Sequence, residues 1–322
     1  MTDSADEGVT VCIPTYRRPE LLIDCICSVF ANSFRPIQIV VSDDEADSQT
    51  EDLLSRVRLP PGVRLTYVRN RLSPGQSGNV NNAILNSDHE KLILIHDDDF
   101  FVPGGIDELC QIWKNHKGCI DAAFGRQFIA DHEGRTDHAT TEKNNSKYFK
   151  NEPEGVLSDK IVSALLRQFP NNGFLFRRSI ARSIGYPAEE EVGRIPVDFH
   201  FGLRYAEASK RPFIFTRSYI SVYRLSRNSV ARSRHEVPEI DGHIGFEQLE
   251  NFNVATAAQL RAKEVALSLY APAAVRGYIH NRANKRALLV YLRHVGSMGI
   301  SILGKLRLFT ILLMSFLGIR LL

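Results

Sequence analysis

The chain lacks a Gly-rich turn after its first apolar run, any CxxC pair and any uncharged stretch of bilayer-spanning length, and beyond Glu264 it has no Asp or Glu at all. Each absence excludes something. The first run leads into Ile13-Pro14-Thr15-Tyr16, which offers no glycine turn for a dinucleotide pyrophosphate, so a Rossmann oxidoreductase is excluded. Five cysteines (Cys12, Cys25, Cys27, Cys110, Cys119) are odd in number and unpaired in spacing, which fits free thiols in a reducing compartment. The longest uncharged apolar run, Leu308 to Ile319, has 12 residues, against about 20 needed to span a bilayer. Met1 to Gly8 is acidic and polar, so no signal peptide is expected. A net charge of +3 from 40 basic and 37 acidic residues is too small to indicate nucleic-acid binding. Its distribution says more, because eight Lys and Arg residues follow Glu264.

What is present is an alternation. Val9 to Ile13, Ile37 to Val41, Arg64 to Val68 and Leu92 to Ile95 are β-branched, nearly continuous apolar runs, the pattern of strands covered on both faces. Between them, Leu21, Leu22, Cys25, Ile26 and Val29 share a helical face, and Ser48 with Glu51 forms a capping box ahead of Leu53, Leu54 and Val57. A third helix is predicted from about Gly78 to Leu85. This βαβαβαβ order predicts an open, mostly parallel sheet flanked by helices. Further strands are expected at Ile120–Phe124, Gly125–Ala130, Asn172–Phe176 and Tyr219–Tyr223, and a helix at Val197–Ala208. Helical periodicity dominates after Val237, so residues 1–236 are expected to form the main domain and 237–322 a helical appendage.

Each of the first four strands ends in a polar cluster: Thr15-Tyr16-Arg17, Ser42-Asp43-Asp44, Arg69-Asn70-Arg71 and His96-Asp97-Asp98-Asp99. Ligands of open α/β sheets bind outside the carboxyl ends of the strands, so four such clusters predict one site. Three consecutive carboxylates repel one another and call for a cation; Mg²⁺ or Mn²⁺ is often held by one or two carboxylates plus substrate phosphates. The alternative for the triple aspartate is a solvated acidic turn ahead of the next helix.

VTVCIPTYRRPELL (9–22), IQIVVSDDEAD (37–47), GQSGNVNNAI (75–84), LILIHDDDFFVPGGIDEL (92–109) and VDFHFGLR (197–204) together resemble the family 2 glycosyltransferases of the GT-A fold, in the family's order and over roughly residues 9–230. The resemblance implies an inverting enzyme taking a nucleotide-diphosphate sugar, with a Rossmann-like sheet and a divalent metal. Pro14, Thr15, Tyr16 and Arg17 would line the nucleotide pocket, and Asp44 would accept a hydrogen bond from base or ribose. Arg71 would approach the diphosphate or base, while Gly75 and Asn81 shape the donor-side wall. The family's D-x-D-D-x-x-x-P motif is altered: Pro103 sets a register in which His96 replaces the first Asp and Asp98 falls on the metal position. Asp99 is the second metal candidate and Asp97 a donor-side partner; an Asp97-x-Asp99 reading shifts the assignment by one.

The family's E-D-x-x-x-x-x-R stretch supplies the base. Asp198 and Arg204 match it with Val197 in place of Glu, and Glu189, Glu190 and Glu191 compete. Tyr223-Arg224 with Ser229 resembles a later segment beside the diphosphate, the alternative being a surface strand with a solvated Arg. Asn171-Asn172-Gly173 reads as an acceptor-side element or a tight turn, and His132, His138, His235 and His243 as solvent-facing loop residues. The basic, apolar C-terminus reads either as a peripheral contact with the inner face of the cell membrane, suited to a lipid-linked acceptor, or as a helix packed on the catalytic domain or on a second copy in a homo-oligomer. The expected role is cytoplasmic, in cell-surface polysaccharide synthesis. The rivals are a nucleotidyltransferase, which favours a Gly-rich basic loop after the first strand, and a non-catalytic glycan- or nucleotide-binding protein of the same fold.

Overall fold

A computed structural model describes residues 8–148, 153–170, 172–193, 196–225 and 240–319. The chain divides into two compact units. The first comprises Met1–Lys160, Arg167–Tyr186 and Arg204–Arg227; the second comprises Ile161–Leu166, Pro187–Leu203 and Asn228–Leu322. The expected boundary at residues 236 and 237 lies outside the described residues.

In the first unit, strands β1 (Val9–Thr15), β2 (Ile37–Asp43), β3 (Val63–Arg69) and β4 (Lys91–Leu94) alternate with helices α1 (Pro19–Phe30), α2 (Gln49–Leu54) and α3 (Gln76–Leu85). There follow β5 (Phe100–Phe101), α4 (Gly105–Asn115), β6 (Ala122–Ala130), α5 (His138–Tyr148), β7 (Gly155–Val156), β8 (Phe174–Arg177), α7 (Arg178–Ile184) and β9 (Phe213–Arg224), while α6 (Lys160–Leu165), between β7 and β8 in the chain, belongs from Ile161 onward to the second unit. The nine strands form one sheet, in the order β3-β2-β1-β4-β8-β6-β9-β5, with β7 on β9. β1 pairs in parallel with both β2 and β4, and β2 with β3. Beyond β4 the sheet is mixed, because β8 runs antiparallel to β4 and β6 while β6 and β9 are parallel. The α/β class expected from the sequence is therefore present, a Rossmann-like sheet flanked by helices, with its parallel character concentrated in the N-terminal half.

Every residue of β1, β2 and β4 is buried, as the nearly continuous apolar runs predict, and the polar Thr10 and Gln38 within them bond to each other at 2.8 Å. Leu22, Cys25, Ile26 and Val29 of α1 pack into the same core as Ile13, Ile39 and Ile93. The chain moves outward from β1 to β3 and then crosses back to β4 on the other side of β1. The order of strands thus reverses beside β1, and that reversal opens the crevice in which α/β proteins bind ligands.

Several local expectations are corrected. Ser48 precedes α2, but its hydroxyl donates to the Asp52 carboxylate at 3.1 Å rather than capping a backbone amide. Residues 122–130 form one strand instead of two. The segments expected at 172–176 and 219–223 become β8 and the last part of the longer β9. All five cysteines are free, with Cys12, Cys25 and Cys110 buried.

The second unit contains α8 (Glu189–Val192), α9 (Val197–Ala208, whose last turns from Arg204 belong to the first unit), α10 (Gly242–Asn251), α11 (Ala257–His280), α12 (Asn284–His294) and α13 (Ile302–Phe316). Its core includes Phe246, Leu249, Leu267, Val275, Val290 and Leu312. α11 starts with a working cap, since the Thr256 hydroxyl accepts from Gln259 N. His243 is not a loop residue: it lies in α10 with its ring 5.2 Å from that of Tyr278. No described helix is long and apolar enough to cross a membrane.

Candidate active site

The ends of the four parallel strands are tied to one another by direct bonds. The β1 and β4 ends meet where the Thr15 hydroxyl donates to Asp97 at 2.8 Å and the Tyr16 amide reaches the same oxygen at 3.4 Å. The β2 end joins β1 through the Asp44 amide, which donates to the Thr15 carbonyl at 3.1 Å. The β3 end joins β2 because Asn70 Nδ2 donates to Asp44 at 2.6 Å, and the Gly75 amide occupies the other Asp44 oxygen at 2.7 Å. From α3, Asn79 donates to the Thr15 carbonyl at 2.9 Å and Asn82 to Ser42 Oγ at 2.8 Å. Clusters spread over about ninety residues of sequence thus form one connected rim, built at the strand-order reversal.

Glycine sets the shape of the wall above Asp44. Gly75 has φ of 101°, a left-handed conformation costly for any other residue, and it turns the loop into α3. A Cβ on Gly78 would stand 1.8 Å from the Ser73 carbonyl oxygen, so α3 and the 70–75 loop are locked together there. Asn81 and Tyr186 exchange two bonds, Asn81 Nδ2 to the Tyr186 carbonyl at 2.9 Å and the Tyr186 amide to Asn81 Oδ1 at 2.7 Å. Arg71 is exposed on the same loop, and Tyr16 is exposed with the Arg17 guanidinium 5.0 Å from its ring centroid. Arg17 also pairs with Glu45. Pro14 is buried at the β1 end.

The three aspartates occupy three environments. Asp97 is 5% exposed and Asp99 1%, while Asp98 between them is only partly buried. The segment is a turn after β4, closed by the Asp99 amide donating to the His96 carbonyl at 3.1 Å, and within it Asp97 and Asp99 are buried while Asp98 keeps some solvent contact. Asp99 accepts from the Arg224 amide at 2.7 Å with one oxygen and from Asn172 Nδ2 with the other. Asn172 also accepts the His96 amide at 2.8 Å. Burial, reinforced by the neighbouring Asp98 charge, holds the Asp99 carboxyl well above the usual carboxylate range. Asp97 is pushed up to about 6, chiefly by burial, with the Arg18 charge working against the rise.

Arg18 is the residue that the motif reading passed over. Its Nη1 donates to Asp98 at 2.8 Å and to Asp97 at 3.3 Å, so one guanidinium neutralises two of the three carboxylates. The signal was present in the Arg17-Arg18 pair directly after β1, but adjacent arginines do not reveal which one turns inward. Asn70 and Asn172 were also under-read, since an asparagine shows its partners only when the fold is built. Arg224 is not a solvated surface Arg: its side chain is 8% exposed, pairs with Asp24 at 3.2 Å and lies 5.3 Å from the Phe100 ring centroid.

Asp198 stands in the first turn of α9, partly buried, where a helix N-terminus favours a carboxylate. It belongs to the second unit, whereas the rim belongs to the first. Among the described residues no group of three or more His, Cys, Asp or Glu side chains could hold a metal on protein ligands alone. Asn171, Ser229 and His235 lie outside the described residues.

Comparison with known proteins agrees with this construction. The 103-residue stretch shared with the GalNAc(5)-diNAcBac-PP-undecaprenol beta-1,3-glucosyltransferase of Campylobacter jejuni is 26% identical, covering 32% of this chain and about a third (33%) of that enzyme's length. Over nearly the whole chain the fold is like that of S. aureus TarS 1-349 in complex with UDP-GlcNAc (TM-score 0.63, 14% identity, 97% of this chain and 92% of that one). It is also like mannosyltransferase PcManGT from Pyrobaculum calidifontis in complex with GDP-Man and Mn²⁺ (TM-score 0.57, 15% identity, 96% of this chain and 80% of that one). The model of Glycosyl transferase family 2 matches residues 10–185, more than half of the chain and all four strands that build the rim, and this chain belongs to that family.

Proposed function

We propose that the protein is an inverting, metal-dependent glycosyltransferase that moves a sugar from a nucleotide-diphosphate donor to a hydroxyl of a glycan or lipid-linked acceptor in cell-surface polysaccharide synthesis, on the cytoplasmic side of the membrane. The observation that carries this reading is the joined rim: Thr15, Tyr16, Asp44 and Asp97 are bonded into one edge, with Asp98 partly exposed beside Asp97 and paired with Arg18. The Campylobacter relative is named for a lipid-linked acceptor, which supports the acceptor class.

The donor residues divide by exposure. The exposed ring of Tyr16 offers a face to the base, and exposed Arg71 a charge to the diphosphate. Asp44, already holding Asn70 and Gly75, has lone pairs left for a base or ribose donor. Gly75 lets the backbone pass close to the donor, and Asn81 fixes the wall behind it.

The residues present fit a hard divalent cation, Mn²⁺ or Mg²⁺, held on one carboxylate plus donor phosphates, which requires no cluster of three protein ligands. Asp98 is the carboxylate for it. Asp99, 1% exposed and with each oxygen accepting a protein donor, has no open side toward a ligand and instead holds the backbone of this segment in place. When bound, the cation offsets the negative charge that grows on the leaving diphosphate. Arg18, which neutralises Asp97 and Asp98, can turn to diphosphate oxygens once Asp98 has another counter-charge. Asp198 takes the proton of the acceptor hydroxyl as the new bond forms on the face opposite the leaving group.

A thermal-shift screen of UDP-, GDP- and dTDP-sugars, with and without Mn²⁺, tests the reading. One donor should raise the melting temperature in a Mn²⁺-dependent way, and Asp98→Ala should abolish the Mn²⁺ component. If no donor shifts the parent and Asp98→Ala behaves identically, the donor site is refuted.

A further inference from the structure

The last helices of the second unit are apolar in the wrong place. Of nineteen large apolar side chains exposed among the described residues, twelve fall between residues 257 and 319. In α13 the buried positions Leu308 and Leu312 face inward, yet the opposite side carries Ile302 (78% exposed), Leu303 (77%), Leu306 (57%) and Leu313 (49%), continuing to Phe316 and Leu317. A helix with large apolar side chains on its outward as well as its inward side belongs inside a protein or against a lipid phase, not in water. α12 adds Leu289 and Leu292, exposed at 61% and 58%. The two helices pack on each other, with Phe309 stacked on Tyr291 and Asn284 bonded to the Ser315 carbonyl, so both outward faces belong to one packed pair.

Charge identifies what covers this surface. From residue 265 to the end there is no carboxylate side chain, while Lys and Arg recur eight times. Arg286 and Arg293 are spent on Glu250 and Glu264. Arg282, Lys285, Lys305 and Arg307 have no carboxylate partner among the described residues, and Lys285 and Arg307 are exposed beside the apolar positions. A second protein surface would have to match both an apolar face and unpaired cations, whereas an anionic bilayer presents both at once. α13 has 15 residues, roughly 22 Å of helix at about 1.5 Å per residue, too short for a hydrocarbon core of about 30 Å.

We infer that α12 and α13 dock on the surface of an anionic lipid bilayer, with Ile302, Leu303, Leu306 and Leu313 inserted among the acyl chains and Lys285 and Arg307 at the headgroups. The interaction holds the protein in the interface plane without spanning it, and it stands whether or not the donor-site reading is correct.

Sedimentation of the full chain with vesicles tests it. Vesicles of phosphatidylcholine with 30% phosphatidylglycerol should retain the protein, phosphatidylcholine alone should retain at least ten-fold less, and the retained fraction should fall as salt screens the headgroups. Leu303→Gln/Leu306→Gln should cut retention at least ten-fold, and Arg307→Glu, which leaves the apolar face intact, several-fold, with melting temperatures within a few degrees of the parent. Equal retention on both vesicle types, or no loss in Arg307→Glu, overturns the proposal. So does light scattering that shows a stable dimer converted to monomer by Leu303→Gln/Leu306→Gln, since the surface would then be covered by a second copy.

Discussion

The strand-end rim and the C-terminal helices depart from ordinary protein partitioning in opposite directions. At the rim, charged and amide side chains are buried but nearly all matched: Asp97 to Thr15 and Arg18, Asp99 to Asn172 and the Arg224 amide, Asp44 to Asn70 and Gly75. In α12 and α13, leucines and isoleucines are exposed, with nothing packed over them among the described residues. A buried carboxylate is tolerated only when hydrogen-bonded or paired, and an exposed apolar face only when something else covers it. The first departure is resolved within the molecule, the second outside it. Substitutions at the rim should therefore alter chemistry or stability in free solution, whereas those on the helices should show chiefly when lipid is present.

The largest effect is expected from Asp98→Ala. If Asp98, which keeps some solvent contact while its neighbours are buried, holds the cation, its loss should lower kcat about 10³-fold or more, an order appropriate to removing charge stabilisation of a leaving group. Steady-state kinetics with an identified donor checks this, and a fall below ten-fold would shift the metal role to another carboxylate. Asp198→Asn comes next: kcat should drop roughly 10²- to 10³-fold, with little change in the KM for donor, as for removal of a general base. A selective rise in donor KM would instead make Asp198 a donor-side residue, with Glu189 to Glu191 the next candidates.

Arg18→Met sharpens the contrast between matched and unmatched charge. It leaves Asp97 and Asp98 without their shared guanidinium, so stability in chelator should fall by about 2 kcal/mol, discounted from a fully buried pair because both partners keep some solvent contact. Mn²⁺ alone should bind about ten-fold more tightly and restore much of that loss, as calorimetry and denaturant titration would reveal. The smallest effect concerns pH. The Asp97 carboxyl titrates near 6 in the fold against an ordinary value of 3.8, so between those values the folded chain holds more protons than the unfolded one. The associated stability is complete below the ordinary value and lost as pH rises through about 6. Asp97→Asn should flatten that slope by roughly 1–2 kcal/mol in chelator.

The fold was legible because burial on both faces leaves a strong mark: β1, β2 and β4 are dominated by Val, Ile and Leu, and α9 runs from Val197 to Ala208 as its pattern requires. The site was legible as a place, since a polar cluster after each parallel strand can only lie at the shared edge, even though β3, at the sheet's edge, is only partly buried rather than covered on both faces as expected. Individual roles were less so. A run of three aspartates does not state which side chain turns inward; that depends on Asn172 and Arg224, which are distant in sequence and reach Asp99 only through β8 and β9 pairing. Ser48 failed as a cap for a comparable reason, because a nearby Asp52 competed for its hydroxyl.

The contact between Gly78 and the Ser73 carbonyl bears on how such a protein could be re-engineered. Loop and helix leave no slack at that point, so a side chain at Gly78 forces the wall apart, and substitutions there are expected to misfold. Across the crevice, Tyr16 and Arg17 project into open solvent from a strand end whose backbone is already fixed. Diversification aimed at donor choice is better begun there.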